Sequence, residues 1–150
     1  MTEKTVSKHL DTYGEFEQKP TEIIIVRPDA ETLSKQHLQS FVGICASTTC
    51  AKGIAMYLII IPPGGVAKPH FHALHETAIY LLKGRVEILY GQELEQSQVC
   101  EAGDFIFTPP GVVHQPRNLS ATEPVYIIAA RNDPDQEEKL VPYEPTLKSQ

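Results

Sequence analysis

The sequence predicts an all-β sandwich or barrel. From residue 41 onward the chain is written in short apolar runs: "FVGICAS", "GIAMYLIIIP", "AIYLLKG", "RVEILYG", "QSQVCEAG", "DFIFTPPG" and "EPVYIIAAR". These runs are rich in β-branched and aromatic residues, which suit a pleated, half-buried surface. Gly, Pro and Asn separate them at roughly even spacing, as turns between short strands require. With 150 residues, the chain is most simply one domain and is long enough to bury a core.

Taken in order, residues 1–20 are polar and charged, and read as a frayed arm or a strand lent to a partner. "TEIIIVRP" at 21–28 is a strand candidate that Pro28 would end. "DAETLSKQHLQS" at 29–40 offers Asp29 as an N-cap and acidic residues in a first turn, so a short N-terminal helix is expected there. "LLKGRVEI" reads as two strands pivoting at Gly84, and "RVEILYGQELEQSQVC" as a hairpin turning near Gly91. The resulting division is an arm, strand and helix over 1–40, the barrel over 41–131, and a charged, proline-punctuated tail over 132–150. That tail is either disordered or laid across the surface.

Charge and composition narrow the partners. A formal net charge of −6 and the lack of an obvious basic face argue against nucleic acid or an anionic membrane surface. The longest apolar run, "IAMYLIII", is too short to span a bilayer. The N-terminus shows no apolar segment of signal-peptide length, and Cys45, Cys50 and Cys100 have no C-x-x-C spacing. A cytoplasmic protein with reduced thiols is the expectation.

The histidines carry the chemistry. Three of the six in the chain, His70, His72 and His75, fall within "PHFHALHETAIYLLKG", together with Glu76. On a strand, residues i and i+2 share a face, so His70 and His72 can present both imidazoles to one ion. Glu76 shares that parity, and His75 has the opposite one. His114 follows the turn in "GDFIFTPPGVVHQPRN", and a strand lying across from the first pair would bring it to the same place. Imidazoles with one carboxylate suit a divalent transition metal and leave coordination positions open for water or substrate.

The spacing adds a family resemblance. Gly64, His70-x-His72, Glu76 and Gly84 form one motif. Gly103, Pro109-x-Gly111, His114 and Asn118 form a second. Together they resemble the two motifs of the cupin superfamily. The resemblance implies a double-stranded β-helix, a jelly-roll barrel with the metal inside, ligated by His70, His72, Glu76 and His114. One departure stands in the first motif: Glu76 and Gly84 are separated by one residue more than the family pattern, which puts Thr77 at the usual glutamate position. A bulge that absorbs the extra residue is the favoured reading, and it keeps Glu76 at the metal.

Bulkier side chains have simpler readings. His75 is expected at the surface or mouth of the barrel, with replacement of Glu76 as a ligand the alternative; Arg131 is expected at the surface, paired with Asp133 or a tail residue, with a substrate carboxylate as the alternative partner. Tyr57, Tyr80, Phe105, Phe107 and Tyr126 are expected in the core. Gln115 is either a support for the site or a surface residue, and His9 and His37 are given no role.

The function that follows is metal-dependent chemistry on a small organic molecule, with iron, manganese, zinc or nickel as the one divalent ion. An oxygenase-type reaction comes first, with Glu76 a possible proton acceptor. A sugar isomerase or epimerase is the alternative enzyme. A binding module without turnover is the alternative from another class. The resemblance also implies a homodimer, which would cover the edge that "TEIIIV" exposes.

Overall fold

A computed structural model describes residues 20–28, 32–33, 38–135 and 139–146. The strands are β1 (Thr32–Leu33), β2 (Gln39–Ile44), β3 (Ala55–Ile61), β4 (His70–Phe71), β5 (Thr77–Lys83), β6 (Arg85–Tyr90), β7 (Gln96–Glu101), β8 (Phe105–Thr108), β9 (His114–Asn118), β10 (Val125–Arg131) and β11 (Val141–Pro142). One helical turn, α1 (Ala46–Thr49), follows β2. The strands form two antiparallel sheets, one ordered β1-β2-β3-β10-β5-β8 and the other β11-β4-β9-β6-β7. This is the jelly-roll architecture expected of a cupin barrel. Among the described residues, no helix is long and apolar enough to cross a membrane.

The core lies between the sheets and follows from strand alternation. In β10, Val125, Ile127, Ala129 and Arg131 are buried, while Tyr126, Ile128 and Ala130 are only partly so. Ile61, Leu81, Val86, Val125 and Ile127 meet in one cluster, with Ile79 and Ile106 packed against it.

Gly84 is where the chain crosses from one sheet to the other, joining β5 to β6. Its φ is +95°, and a Cβ there would lie 2.8 Å from Val125 Cγ2 and 3.2 Å from the Pro124 carbonyl oxygen. Glycine is needed both for the left-handed backbone and for the close approach.

Three expectations change. The helix over 29–40 is not formed at its described residues: Thr32–Leu33 is strand, Leu38 is buried, and Gln39 opens β2. Pairing of β1 with β2 outweighs a weak local helix preference. The helical turn forms instead after Cys45, whose N–H donates to Thr48 Oγ1 at 3.0 Å. The stretch 21–28 is in no strand of the chain, and Ile23, Ile24 and Ile25 stand exposed; an apolar strand forms only where an edge is offered to it. Phe105 and Phe107 are not core but 85% and 61% exposed, because Ile106 and Thr108 take the inward parity of β8. The tail is laid on the barrel surface, one of its two expected placements, as exposed β11, which pairs with β4 (Val141 opposite Phe71, Pro142 opposite His70).

Gly84→Ala is expected to lower stability by on the order of 1–3 kcal/mol through backbone strain, read as a fall in the urea midpoint. An unchanged midpoint would show that the crossing tolerates a side chain.

Candidate metal centre

β4 is only two residues long and is held from both sides, by β9 and by β11. Its pairing with β9 sets His70 directly opposite His114. Their rings lie 4.3 Å apart, and the His72 ring is 5.1 Å from His70 and 5.5 Å from His114. One ligand nitrogen from each histidine lies within 4.8 Å of the other two. The i, i+2 spacing accounts for His70 with His72, and the cross-strand pairing accounts for His114.

The loops are tied to the same place. Gly111, at φ +78°, turns the chain so that its N–H donates to the His72 carbonyl at 2.7 Å. Gln115 Nε2 donates to the Ala67 carbonyl at 2.9 Å, binding β9 to the segment that leads into β4. Asn118 is buried, and its Nδ2 reaches the carbonyls of Ile61, Pro62 and Glu123 at 2.8–3.2 Å. Spacing marked Asn118 as part of a motif; its work in closing the end of β9 is visible only in the fold.

The imidazoles suit a metal. Nδ1 of His70 bonds the Lys68 carbonyl and Nδ1 of His114 bonds the Val112 carbonyl, each at 2.8 Å. A carbonyl accepts only, so both Nδ1 atoms carry the proton and both Nε2 atoms keep a lone pair for a ligand bond. Burial is the main force holding these rings neutral. It pushes His70 down to about 4, helped by repulsion from His114. It pushes His72 down to about 3, helped by repulsion from His70, His114 and His75. Burial also lowers His114.

Glu76 does not join them. It is exposed, and its backbone N–H donates to Asn132 Oδ1 at 2.9 Å. Thr77 takes the inward position at the start of β5, followed by Ile79 and Leu81. The expected bulge exists, but at Leu82: Leu81 faces Ile127 and Lys83 faces Tyr126. It lies beside Gly84, and upstream of it the parity leaves Glu76 outward.

Two further residues were misplaced by sequence reasoning. His75 is 3% exposed, with its ring 4.6 Å from that of His72 and its Nδ1 4.0 Å from Asp133 Oδ2. Burial lowers its proton affinity, as do the charges of Arg131 and Lys139, against the pull of Asp133. Arg131 is 7% exposed, and its guanidinium lies over the Tyr57 ring. Inward parity at the end of β10 was the available signal for Arg131; nothing local reveals His75, because the chain leaves the strand between His72 and Thr77. Lys83 and Arg85 are exposed, and His9 and His37 lie outside the described residues.

The model of the Cupin domain family matches residues 57–130. A germin-like protein of Oryza sativa subsp. japonica is 30% identical over 95 residues, which span 62% of this chain and 42% of that protein. Oxalate decarboxylase from Bacillus subtilis, in a structure concerned with its Mn(II) centres, superposes with a TM-score of 0.61 at 19% identity, over 84% of this chain and 30% of that one. A cupin 2 conserved barrel domain protein from Salinispora arenicola gives 0.60 at 22% identity, over 77% and 91%. The chain thus spans less than half of the germin-like protein and about a third of the decarboxylase, and the structural likenesses speak for the fold.

The buried rings make metal-free protein acid-sensitive. The unfolded chain takes up protons below about pH 6.5, whereas folded His70 and His72 resist until about 4 and 3. Stability is therefore expected to fall as pH drops through that window and to level off below it. The loss is on the order of 3 kcal/mol for His70 alone. Urea midpoints between pH 7 and 4 measure this, and His70→Asn should flatten the slope.

Proposed function

This chain belongs to the cupin superfamily, and on that premise we propose that His70, His72 and His114 hold one divalent metal ion at which a small organic molecule is transformed. The carrying observation is the fixed tautomer of buried His70 and partly buried His114, each with its Nδ1 on a backbone carbonyl. Imidazole ligands suit iron, zinc or nickel, and the Mn(II) centres named for the decarboxylase add manganese to the ions worth testing. When bound, the ion would supply Lewis acidity and, as iron or manganese, the means to activate oxygen.

An oxygenase-type reaction remains the first reading. Apolar side chains packed between the sheets, such as Ile79 and Ile106, would exclude water from the barrel. Glu76, on the outer side, is poorly placed for the proton-acceptor role considered for it. Lewis-acid isomerisation or epimerisation is the second reading. It needs a cationic side chain inside the barrel, and Arg131 is one. A binding module without turnover would use the same residues. Three free cysteines, two of them buried, accord with a cytoplasmic location.

Elemental analysis of untagged protein tests the site. About one equivalent of metal is expected in the wild type and in Glu76→Gln, with most of it lost in His72→Ala and His114→Ala while circular dichroism stays unchanged. Full stoichiometry in both histidine variants would overturn the ligand set. Iron or manganese with substrate-dependent oxygen uptake supports the oxygenase; zinc or nickel with turnover supports Lewis-acid chemistry; metal without turnover of any candidate leaves the binding module.

The outer face of the six-stranded sheet supports a homodimer. Phe105, Phe107, Leu82 and Met56 stand exposed on it, and an apolar groove there is lined by Pro28, Phe41, Ile44, Met56, Leu58 and Ile128. The exposed Ile23–Ile25 lead directly into Pro28. A second copy of the chain, packed face to face and using these isoleucines, would cover the face. Light scattering at micromolar concentration should give twice the 16.7 kDa of one chain; the mass of a monomer would count against the pairing.

A further inference from the structure

We propose that Arg131 and Thr77 form a carboxylate subsite beside the three histidines, so that the ligand is a short organic acid with a second donor atom for the metal. The inference rests on the metal-site reading above and adds the class of its ligand.

Arg131 ends β10, where it faces Thr77 of β5 on one side and Ala55 of β3 on the other. Its guanidinium sits 4.6 Å from the Tyr57 ring centroid. Nη2 donates to Tyr57 Oη at 2.6 Å and to the Asp135 carbonyl at 3.3 Å, and the Tyr57 hydroxyl donates to that same carbonyl at 2.8 Å. The arginine is thus oriented by neutral groups. Among the described residues no carboxylate pairs with it. Both nearby candidates go to Lys139, which lies 3.0 Å from Asp133 Oδ2 and 3.4 Å from Asp135 Oδ2.

Two donors remain without a partner, Arg131 Nε and Thr77 Oγ1, and both side chains are at least nine-tenths buried. Leaving such groups unpaired is costly, most of all on a charged guanidinium. They sit on cross-strand neighbours, so one ligand can satisfy both. His75 carries a third unpartnered atom, Nε2, and packs its ring on that of His72, so it links this corner to the histidine cluster. A planar two-oxygen anion matches the fork of a guanidinium with a hydroxyl beside it. Phosphate, with more terminal oxygens, matches this pair of donors less well. The outward position of Glu76 favours the same ligand: three neutral imidazoles offset none of a divalent charge, and a carboxylate would offset part of it.

The test uses metal-loaded protein whose metal content is measured first. Calorimetric titration with acetate, glycolate and malonate, with their amides, and with inorganic phosphate is made on wild type, Arg131→Met, Arg131→Lys and Thr77→Val. At least one acid should bind wild type. Arg131→Met should weaken it about ten- to a hundredfold, as expected for a lost charge-assisted bond, and Thr77→Val should weaken it by less. Arg131→Lys keeps the charge without the fork and should also bind more weakly. The amides should bind equally to wild type and Arg131→Met. Unchanged affinity in the folded Arg131 variants, no binding of any acid to wild type, or tighter Arg131-dependent binding of phosphate would each overturn the subsite while leaving the metal reading intact. Loss of metal from wild type is the separate failure of that reading; carboxylate binding that still depends on Arg131 in such protein would uphold the subsite.

Discussion

The pairing of β4 with β9, which sets His70 opposite His114, is the constraint on which the rest of the site depends. A two-residue strand cannot hold itself in place, because one bridge offsets little of the entropy lost in ordering it. It is held by what surrounds it. β11 closes its other side, Gly111 bonds the His72 carbonyl, Gln115 bonds the Ala67 carbonyl, and Asn118 gathers three carbonyls at the far end of β9. Each bond contributes about 1 kcal/mol net. Together they leave three imidazoles side by side before any ligand arrives, so a metal would not have to organise them.

That preorganisation has an electrostatic cost. Burial of three clustered imidazoles is tolerable only while they are neutral, which is why burial leads every shift at the site. The charges of this end of the barrel lie one shell further out. Lys139 answers Asp133 and Asp135, and Arg131 lies against the face of Tyr57. A divalent ion on the histidines would add positive charge beside a buried arginine, and the two together favour an anionic ligand. The barrel itself does not select the reaction, since one fold carries many chemistries; the placement of charge around the three nitrogens narrows it.

The six-stranded sheet is apolar on both faces. Along "AMYLIII" of β3, side chains of both parities are apolar: Ala55, Tyr57 and Ile61 are buried, whereas Met56 is exposed. Such a strand belongs in a sheet covered on both sides. The outward phenylalanines of β8 obey the same logic, and for that reason an apolar run in this chain does not reveal which of its residues form the core.

Local chemistry was enough to read the strands, the glycine pivot at Gly84, the hairpin at Gly91 and the likeness of two spaced motifs to the cupin pattern, because alternation, turn residues and i, i+2 parity are properties of short segments. The meeting of His70, His72 and His114 was legible for the same reason, once an antiparallel neighbour was supposed. Tertiary structure alone decided that Thr77 and not Glu76 faces inward, since parity depends on where a strand begins and where its bulge falls, and the bulge came at Leu82. It alone buried His75 and Arg131, drew the tail into β11, and replaced the helix expected over 29–40 with strand pairing at its described residues. Those outcomes depend on partners distant in sequence, and no local pattern contains the energy of a contact with a residue that is not yet there.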